Sequence, residues 1–461
     1  MARDTWYRLD NVGKFYSSQA GSSAQTVFRY AATVVDEVDP AALQRALEKT
    51  VAIFPGFNVC LRSGMFWHYL EPATVTPTVQ PENLPICFGL HVDAKSVLFR
   101  VSYYRDRINL EVSHMVSDGR GTLGFFKALI YAYVEERYGV HDVPCEYDGS
   151  DFQKSENSFD KYYERDKAAS TPTPKVYRIS GWRDVADPTF IEYHLPASRV
   201  LELARSCNVS LTSLVIAAII CAIRAEMPRR ERQRAIRLDV PVDLRKFFKS
   251  ATTKNFFGLA FVSYVPGDED EPVEAVAVQV QAQIKEATQA EQLKPRMNRM
   301  IALEKNPLLR LAPLFVKDAV LEFADWLASR ETTTTVSSLG KIAFDERIAP
   351  YIRDLGVMTS STGINFILST FGDDFCIGIS TAYSNPDVIK NLCRYFTGVG
   401  IEGRININKT SEEVAEDRLE TKLETSVRQL GGQAPARDES DASDKDVANR
   451  ENTDTAKEVG A

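Results

Sequence analysis

The segment His114-Met115-Val116-Ser117-Asp118-Gly119 brings together residue types suited to moving a proton. Histidine is the side chain whose ordinary pKa lets it accept a proton near neutrality, provided that its ring is held in one orientation. His114 closes a stretch in which Ile108, Leu110, Val112 and His114 share one face of a strand, and a helical run follows it. At a strand end it has the reach of a general base acting on a substrate hydroxyl or amine. Asp118, four residues on in a turn, need not touch the imidazole and reads as the anchor of the loop, paired with a distant arginine. Gly119 lets the backbone turn tightly and leaves space for a substrate. The competing reading is a core-facing histidine before an ordinary Asp-Gly turn. The strand before the segment and the helix after it favour chemistry.

The elements that must hold this loop are legible from periodicity. Phe28 to Val34 reads as a strand, and Asp39-Pro40 opens a helix to about Ala52, with Asp39 as its cap. Phe57 to Arg62 and Phe66 to Leu70 read as short strands. Val97 to Tyr104 and Ile108 to His114 form a hairpin about Arg105-Asp106-Arg107, and a helix runs from about Thr122 to Glu136. A polar stretch from Gly139 to about Lys175 is the crossover, with a short helix near Phe159 to Lys167. The second half predicts strands at Thr189–Leu195, Ala235–Val242, Phe256–Val265 and Thr332–Ser338. Its predicted helices are Ala197–Ser206, Leu211–Ala225 capped by Ser210, Glu271–Gln292 and Asn298–Ser329. A second hairpin, Gly363–Thr370 with Phe375–Ala382, precedes a helix at Pro386–Thr397. This order repeats the layout around His114, with Thr381 in the place of His114 and Asn385 in that of Asp118. Two similar domains are expected, one of them carrying the base.

Bulk properties bound the rest. At 461 residues the chain is long enough for two domains, and it is 44% hydrophobic and 26% charged. A net charge of −8 argues against nucleic acid or an anionic membrane as the main partner. No apolar leader opens the sequence, and the most apolar run, Val209 to Ile223, carries Ser210, Thr212 and Ser213 and reads as a buried helix rather than a membrane span. Seven widely spaced cysteines without a CxxC speak against a disulfide framework or a zinc site, and a cytoplasmic setting is expected. Ser411 to Gln429 reads as a charged helix and Gly431 to Ala461, which has no aromatic residue, as a disordered acidic tail.

The His114–Gly119 segment resembles the HxxxDG signature of the chloramphenicol-acetyltransferase-like superfamily, which includes condensation domains and alcohol O-acetyltransferases. Asp239-Val240-Pro241-Val242-Asp243-Leu244-Arg245 with Asn255-Phe256-Phe257-Gly258, and Val336-Ser337-Ser338-Leu339-Gly340, are similar to second-half segments of those enzymes. Leu9-Asp10-Asn11 is similar to the early strand-leading motif of bacterial alcohol-acetyltransferase-like members. The resemblance spans about residues 5–410. It implies an α/β (α+β) pseudo-dimer of two similar domains in a V, residues 1–175 and 176–410, with the site in a tunnel between them and residues 411–461 outside. It implies His114 as the base, Asp118 and Gly119 as structural residues, Arg245 as the partner of Asp118, and Asn255, Ser337 and Ser338 as candidate donors to an oxyanion. The implied reaction is acyl transfer from a thioester, with acyl-CoA as co-substrate, to a small alcohol or amine acceptor, without a metal or resident cofactor. A carrier protein as the source of the thioester, and a non-catalytic binding protein on the same scaffold, are the alternatives. Ser113 stands where condensation domains carry a second histidine, the DFGWG segment of plant members is missing, and no carrier or adenylation module is recognisable; a free-standing monomer is expected.

Other features read blandly. His68, between Trp67 and Tyr69, is assigned to packing, and His91, His141 and His194 have no partner visible in the sequence. The arginines at 229, 230, 232 and 234 read as a solvated helix end, the sharper alternative being a contact for the phosphates of coenzyme A. Gly119-Arg120-Gly121-Thr122-Leu123-Gly124 spells GxGxxG, but the preceding strand is an antiparallel arm, so a dinucleotide fingerprint is not expected.

Overall fold

Alternating apolar residues commit the first hairpin to antiparallel pairing, and a computed structural model of the chain has strands Phe99–Tyr104 and Arg107–Ser113 with Val101 opposite Leu110. The structure describes residues 6–20, 25–75, 77–91, 93–144, 150–164, 174–306 and 311–409. The charged helix and acidic tail expected after residue 410 lie outside them, as does part of the short helix expected near 159–167, of which Ser158–Tyr162 is seen. His114 directly follows the second arm, and its N–H still donates to the Thr26 carbonyl at 2.9 Å. Helix Gly119–Tyr138 follows, capped by Asp118 and closed by Gly139 in the left-handed region at φ 70°.

Two large sheets carry the molecule. The first is ordered Ile352–Thr359, Val27–Val34, Arg107–Ser113, Phe99–Tyr104, Gln80–Pro81. The second is ordered Phe257–Tyr264, Ile236–Asp243, Thr334–Lys341, Ile364–Phe371, Asp374–Thr381, Thr189–Pro196, Arg404–Ile407. Strand Ile352–Thr359 comes from the second half of the sequence yet pairs antiparallel with Val27–Val34, Thr359 opposite Phe28. Periodicity did not announce it, because Gly356 interrupts its apolar pattern. The glycine answers a local demand: a Cβ there would lie 1.7 Å from Glu192 Oε1. Glu192 stands on the second sheet and accepts from Arg107 of the first.

Helix Leu211–Ala225 buries Ile216, Ile219, Ile220 and Ile223 completely against the second sheet, so the most apolar run of the sequence is a core helix. Among the described residues no single helix is long and apolar enough to cross a membrane. The stretch expected as one helix over 298–329 is broken: helix Ala290–Lys305 ends within it, and helix Leu314–Ala328 starts after Pro313, which cannot continue a helix from before it. Leu9-Asp10-Asn11 does not lead a strand. Asp10 caps helix Asn11–Ser18 and accepts from Gly13 N at 2.6 Å, the role expected of an aspartate at that position. His194, without a visible partner in the sequence, lies between Asp374 (Nδ1 to Oδ2, 2.8 Å) and Glu192. Burial opposes its charge, but hydrogen bonds from Asp374, Cys376 and Glu192 outweigh that and push it up to about 12.

Gly356→Ala should force the Glu192 carboxylate out of its place between the sheets and cost about 1–3 kcal/mol, the usual penalty of overpacking. Urea unfolding reads this as a lower midpoint at unchanged slope; an unchanged midpoint would mean that the carboxylate has room to move.

Candidate active site

Both sheets contribute to a cleft of about 1790 Å³, and His114, Asp118, Gly119, Arg245, Ser337 and Ser338 all line it. His114 is 6% exposed. Its ring is stacked on Tyr16 at 4.1 Å and tilted against Phe28 at 4.6 Å and Phe257 at 5.8 Å. Nδ1 lies 2.8 Å from Asn255 Oδ1. The amide orientation is fixed by its other contacts, since Asn255 Nδ2 faces only acceptors: Asp10 Oδ2 at 3.0 Å, Asp10 Oδ1 at 3.2 Å and the His114 carbonyl at 3.1 Å. An acceptor at Nδ1 requires the proton on Nδ1. Nε2 therefore carries the lone pair, and it has no hydrogen-bond partner among the described residues.

Burial lowers the pKa of His114 to about 4. The charge of Asp118 and the hydrogen bonds to Asn255 and to its own carbonyl act in the opposite direction without restoring it. The ring is neutral at physiological pH. Asp10 behaves conversely: burial lifts it to about 6 against the N–H groups that bond it.

The loop anchor is built from Asp118 and Arg245. Arg245 donates to Asp118 Oδ2 at 2.9 Å and to Oδ1 at 3.2 Å, and to Asp243 at 3.0 Å. Its remaining N–H groups hold the carbonyls of Thr252 at 2.9 Å and Lys254 at 2.6 Å. Asp118 also caps its helix through Gly121 N at 2.8 Å and takes Phe256 N at 2.7 Å. Asp118 thus binds the start of helix Gly119–Tyr138 and the Phe256 flank of Asn255, while Arg245 holds the Lys254 flank. The backbone of Thr253 lies hard on that helix: a Cβ at Gly121 would meet the Thr253 carbonyl at 2.0 Å. Gly121, rather than Gly119, is where the close approach needs a glycine. Gly119 has no left-handed φ, and a Cβ there would find ordinary contacts at 3.4 Å.

Two expectations for the oxyanion change. Asn255 has no free N–H, since its amide is spent on Asp10 and the His114 carbonyl; it positions the histidine instead. Ser338 lines the cleft too, but its hydroxyl is engaged 3.3 Å from that of Thr212 on helix Leu211–Ala225. Ser337, of opposite parity, faces the cleft. Thr381 and Asn385, the counterparts of His114 and Asp118, do not line it, and Thr381 accepts from Tyr383 N at 3.0 Å. His68 does line the cleft, 3.5 Å from Asp318. The arginines at 229–234 do not line it; Arg232 pairs with Asp270 and Arg234 with Glu231. Sequence reasoning missed Tyr16, Phe28 and Phe257 as walls of the imidazole and Asp10 as the support of Asn255. Only the Asp10 position carried a signal, as an N-cap residue before a helical run.

Residues 196–318 match the family described as the C-terminus of phthiocerol/phthiodiolone dimycocerosyl transferase. No curated protein sequence matches the chain. Among solved structures, polyketide synthase associated protein 5 from Mycobacterium tuberculosis is similar with a TM-score of 0.56 at 14% identity, over 86% of this chain and 100% of that one. TRI101 of F. sporotrichioides, solved with coenzyme A and T-2, gives 0.60 at 13% identity over 87% of this chain and 99% of its own. The starter condensation domain of rhizomide synthetase RzmA gives 0.53 at 11%, over 86% and 95%. The chain shares the fold of these proteins, a condensation domain among them.

Arg245→Met should leave Asp118 as a buried carboxylate without its cation and cost about 3–5 kcal/mol, and Asp118→Ala should cost less because Asp243 still meets the guanidinium. The double variant should cost clearly less than the two single changes summed. Additive losses in a denaturation cycle would contradict the anchor.

Proposed function

We propose that the protein is an acyltransferase that moves an acyl group from a thioester, acyl-CoA, to the hydroxyl or amine of a small acceptor, with His114 as the base. The single observation that carries this reading is the buried, neutral imidazole whose Nδ1 is engaged by Asn255 and whose Nε2 is open to the cleft. The fold, shared with the coenzyme A complex of TRI101, supports a thioester donor.

Nε2 takes the proton from the acceptor O–H or N–H as the oxygen or nitrogen forms its bond to the thioester carbonyl. Asn255 Oδ1, with Asp10 behind its amide, stabilises the imidazolium that forms. The negative charge collects on the former carbonyl oxygen, for which Ser337, a cleft-lining hydroxyl, is the candidate side-chain donor. Collapse breaks the C–S bond, and the imidazolium returns its proton to the departing sulfur, giving the free thiol and the ester or amide. Asp118 takes no part in proton transfer; with Arg245 it keeps Asn255 on the ring. The neutral state is bought by desolvation, so the base is available well below neutral pH.

His114→Ala should abolish thiol release from acyl-CoA in the presence of alcohols or amines while leaving the melting temperature in place. Unimpaired turnover in a folded variant would refute the assignment, and release only from carrier-bound thioesters would move the donor to a carrier protein. A second consequence concerns pH. A base must be deprotonated to act, so kcat/KM should stay level as pH falls from neutrality and drop only near about 4. A limb near about 6.5, the value of a solvated histidine, would contradict it. Stability has the same sign: the unfolded chain protonates this histidine first, so folding weakens as pH falls below about 6.5.

A further inference from the structure

The cleft holds a carboxylate that the proton transfer does not use. Along strand Ile236–Asp243, Asp239, Pro241 and Asp243 face the cleft, opposite Phe261, Leu259 and Phe257 of the neighbouring strand. Phe257 is the member of this row that touches His114. Asp239 lies four residues further along, roughly 13 Å at about 3.3 Å per residue.

Asp239 is short of positive charge. Thr335 donates to its Oδ1 at 2.8 Å, and its own backbone N–H also bonds the carboxylate. The one cation that acts on it is Arg237. That guanidinium is drawn away: it donates to the Glu331 carbonyl at 3.2 Å and lies 4.2 Å over the Phe261 ring. Arg178 and Arg183 line the cleft but are not among the groups acting on Asp239. A second cleft carboxylate, Asp325 of helix Leu314–Ala328, is met by Gln19 Nε2 at 2.9 Å, and both acids bear on the Tyr16 phenol. Burial lifts Asp239 to about 6 and raises Asp325 as well, so each would gain from a cation. Arg237 already covers the Phe261 ring, so the aromatic surface beside these two acids is that of Tyr16. The same cleft holds His114 Nε2, buried and unpartnered, which marks it as a place where a ligand's reacting atom sits.

We infer that the acceptor is a cationic molecule, an amino alcohol or a diamine, whose ammonium group is received by Asp239 on the order of 10 Å from the atom that His114 deprotonates. This rests on the acyltransferase reading for the identity of the reacting end. Asp239 is then the residue that selects the acceptor, and a phosphate-bearing donor is repelled from it.

Calorimetry with straight-chain ω-amino alcohols and the alkanols of matching length tests this without turnover. Wild-type protein should bind the amino alcohol about tenfold or more tightly than the alkanol, with an optimum chain length and a preference that fades as salt rises. Asp239→Asn should bring the preference towards one, and Asp325→Asn, a change on another element, should reduce it in part. Equal affinity for charged and neutral ligands in the wild-type protein would overturn the inference whatever the turnover. Selective binding that His114→Ala preserves, without thiol release from acyl-CoA by the wild type, would sustain the cation site and refute the acyltransferase reading alone.

Discussion

The geometry around His114 depends on one buried ion pair. Arg245 and Asp118 come from opposite halves of the sequence, and both are nearly inaccessible to water. Arg245 gathers the carbonyls of Thr252 and Lys254 while Asp118 takes the N–H groups of Gly121 and Phe256. Together they seat the 250–256 segment on the start of helix Gly119–Tyr138, which puts Asn255 at the imidazole. Burying two charges is costly, and such a pair contributes less to net stability than to the uniqueness of the arrangement. Here the arrangement is what matters, because an amide displaced by an ångström would no longer select the tautomer.

Two opposing influences then set the state of the ring. Tyr16, Phe28 and Phe257 strip water from it, which disfavours the imidazolium. Asn255 and the nearby Asp118 charge favour it. Burial wins, and the outcome is a neutral imidazole whose surroundings are partly prepared for a positive charge. Asp10 extends that preparation by one step, since it holds the amide from behind.

Much of this was legible in the sequence, and what was not has physical causes. Alternation gave the hairpins and caps gave the helices, because period and end chemistry are local. The HxxxDG segment singled out His114 and Asp118 and, with its resemblance, pointed to Arg245 as the partner of Asp118. Strand Ile352–Thr359 escaped because its Gly356 serves a contact with Glu192 that no local pattern encodes. The 298–329 stretch was merged into one helix because Pro313 is a start signal as well as a break. Asn255 was assigned to the oxyanion because an asparagine's type does not say where its amide points; only Asp10, far away in sequence, decides that. The glycine that matters, Gly121, is set by the approach of Thr253, again a distant neighbour.

Asn255 holds the His114 ring with its proton on Nδ1 and its lone pair on Nε2. Nitrogen chemical shifts of the His114 ring in the folded protein at neutral pH report this directly. The account predicts a neutral imidazole protonated at Nδ1, and a change of tautomer population when Asn255 is replaced by leucine. A ring protonated at Nε2, or one charged at neutral pH, would contradict it.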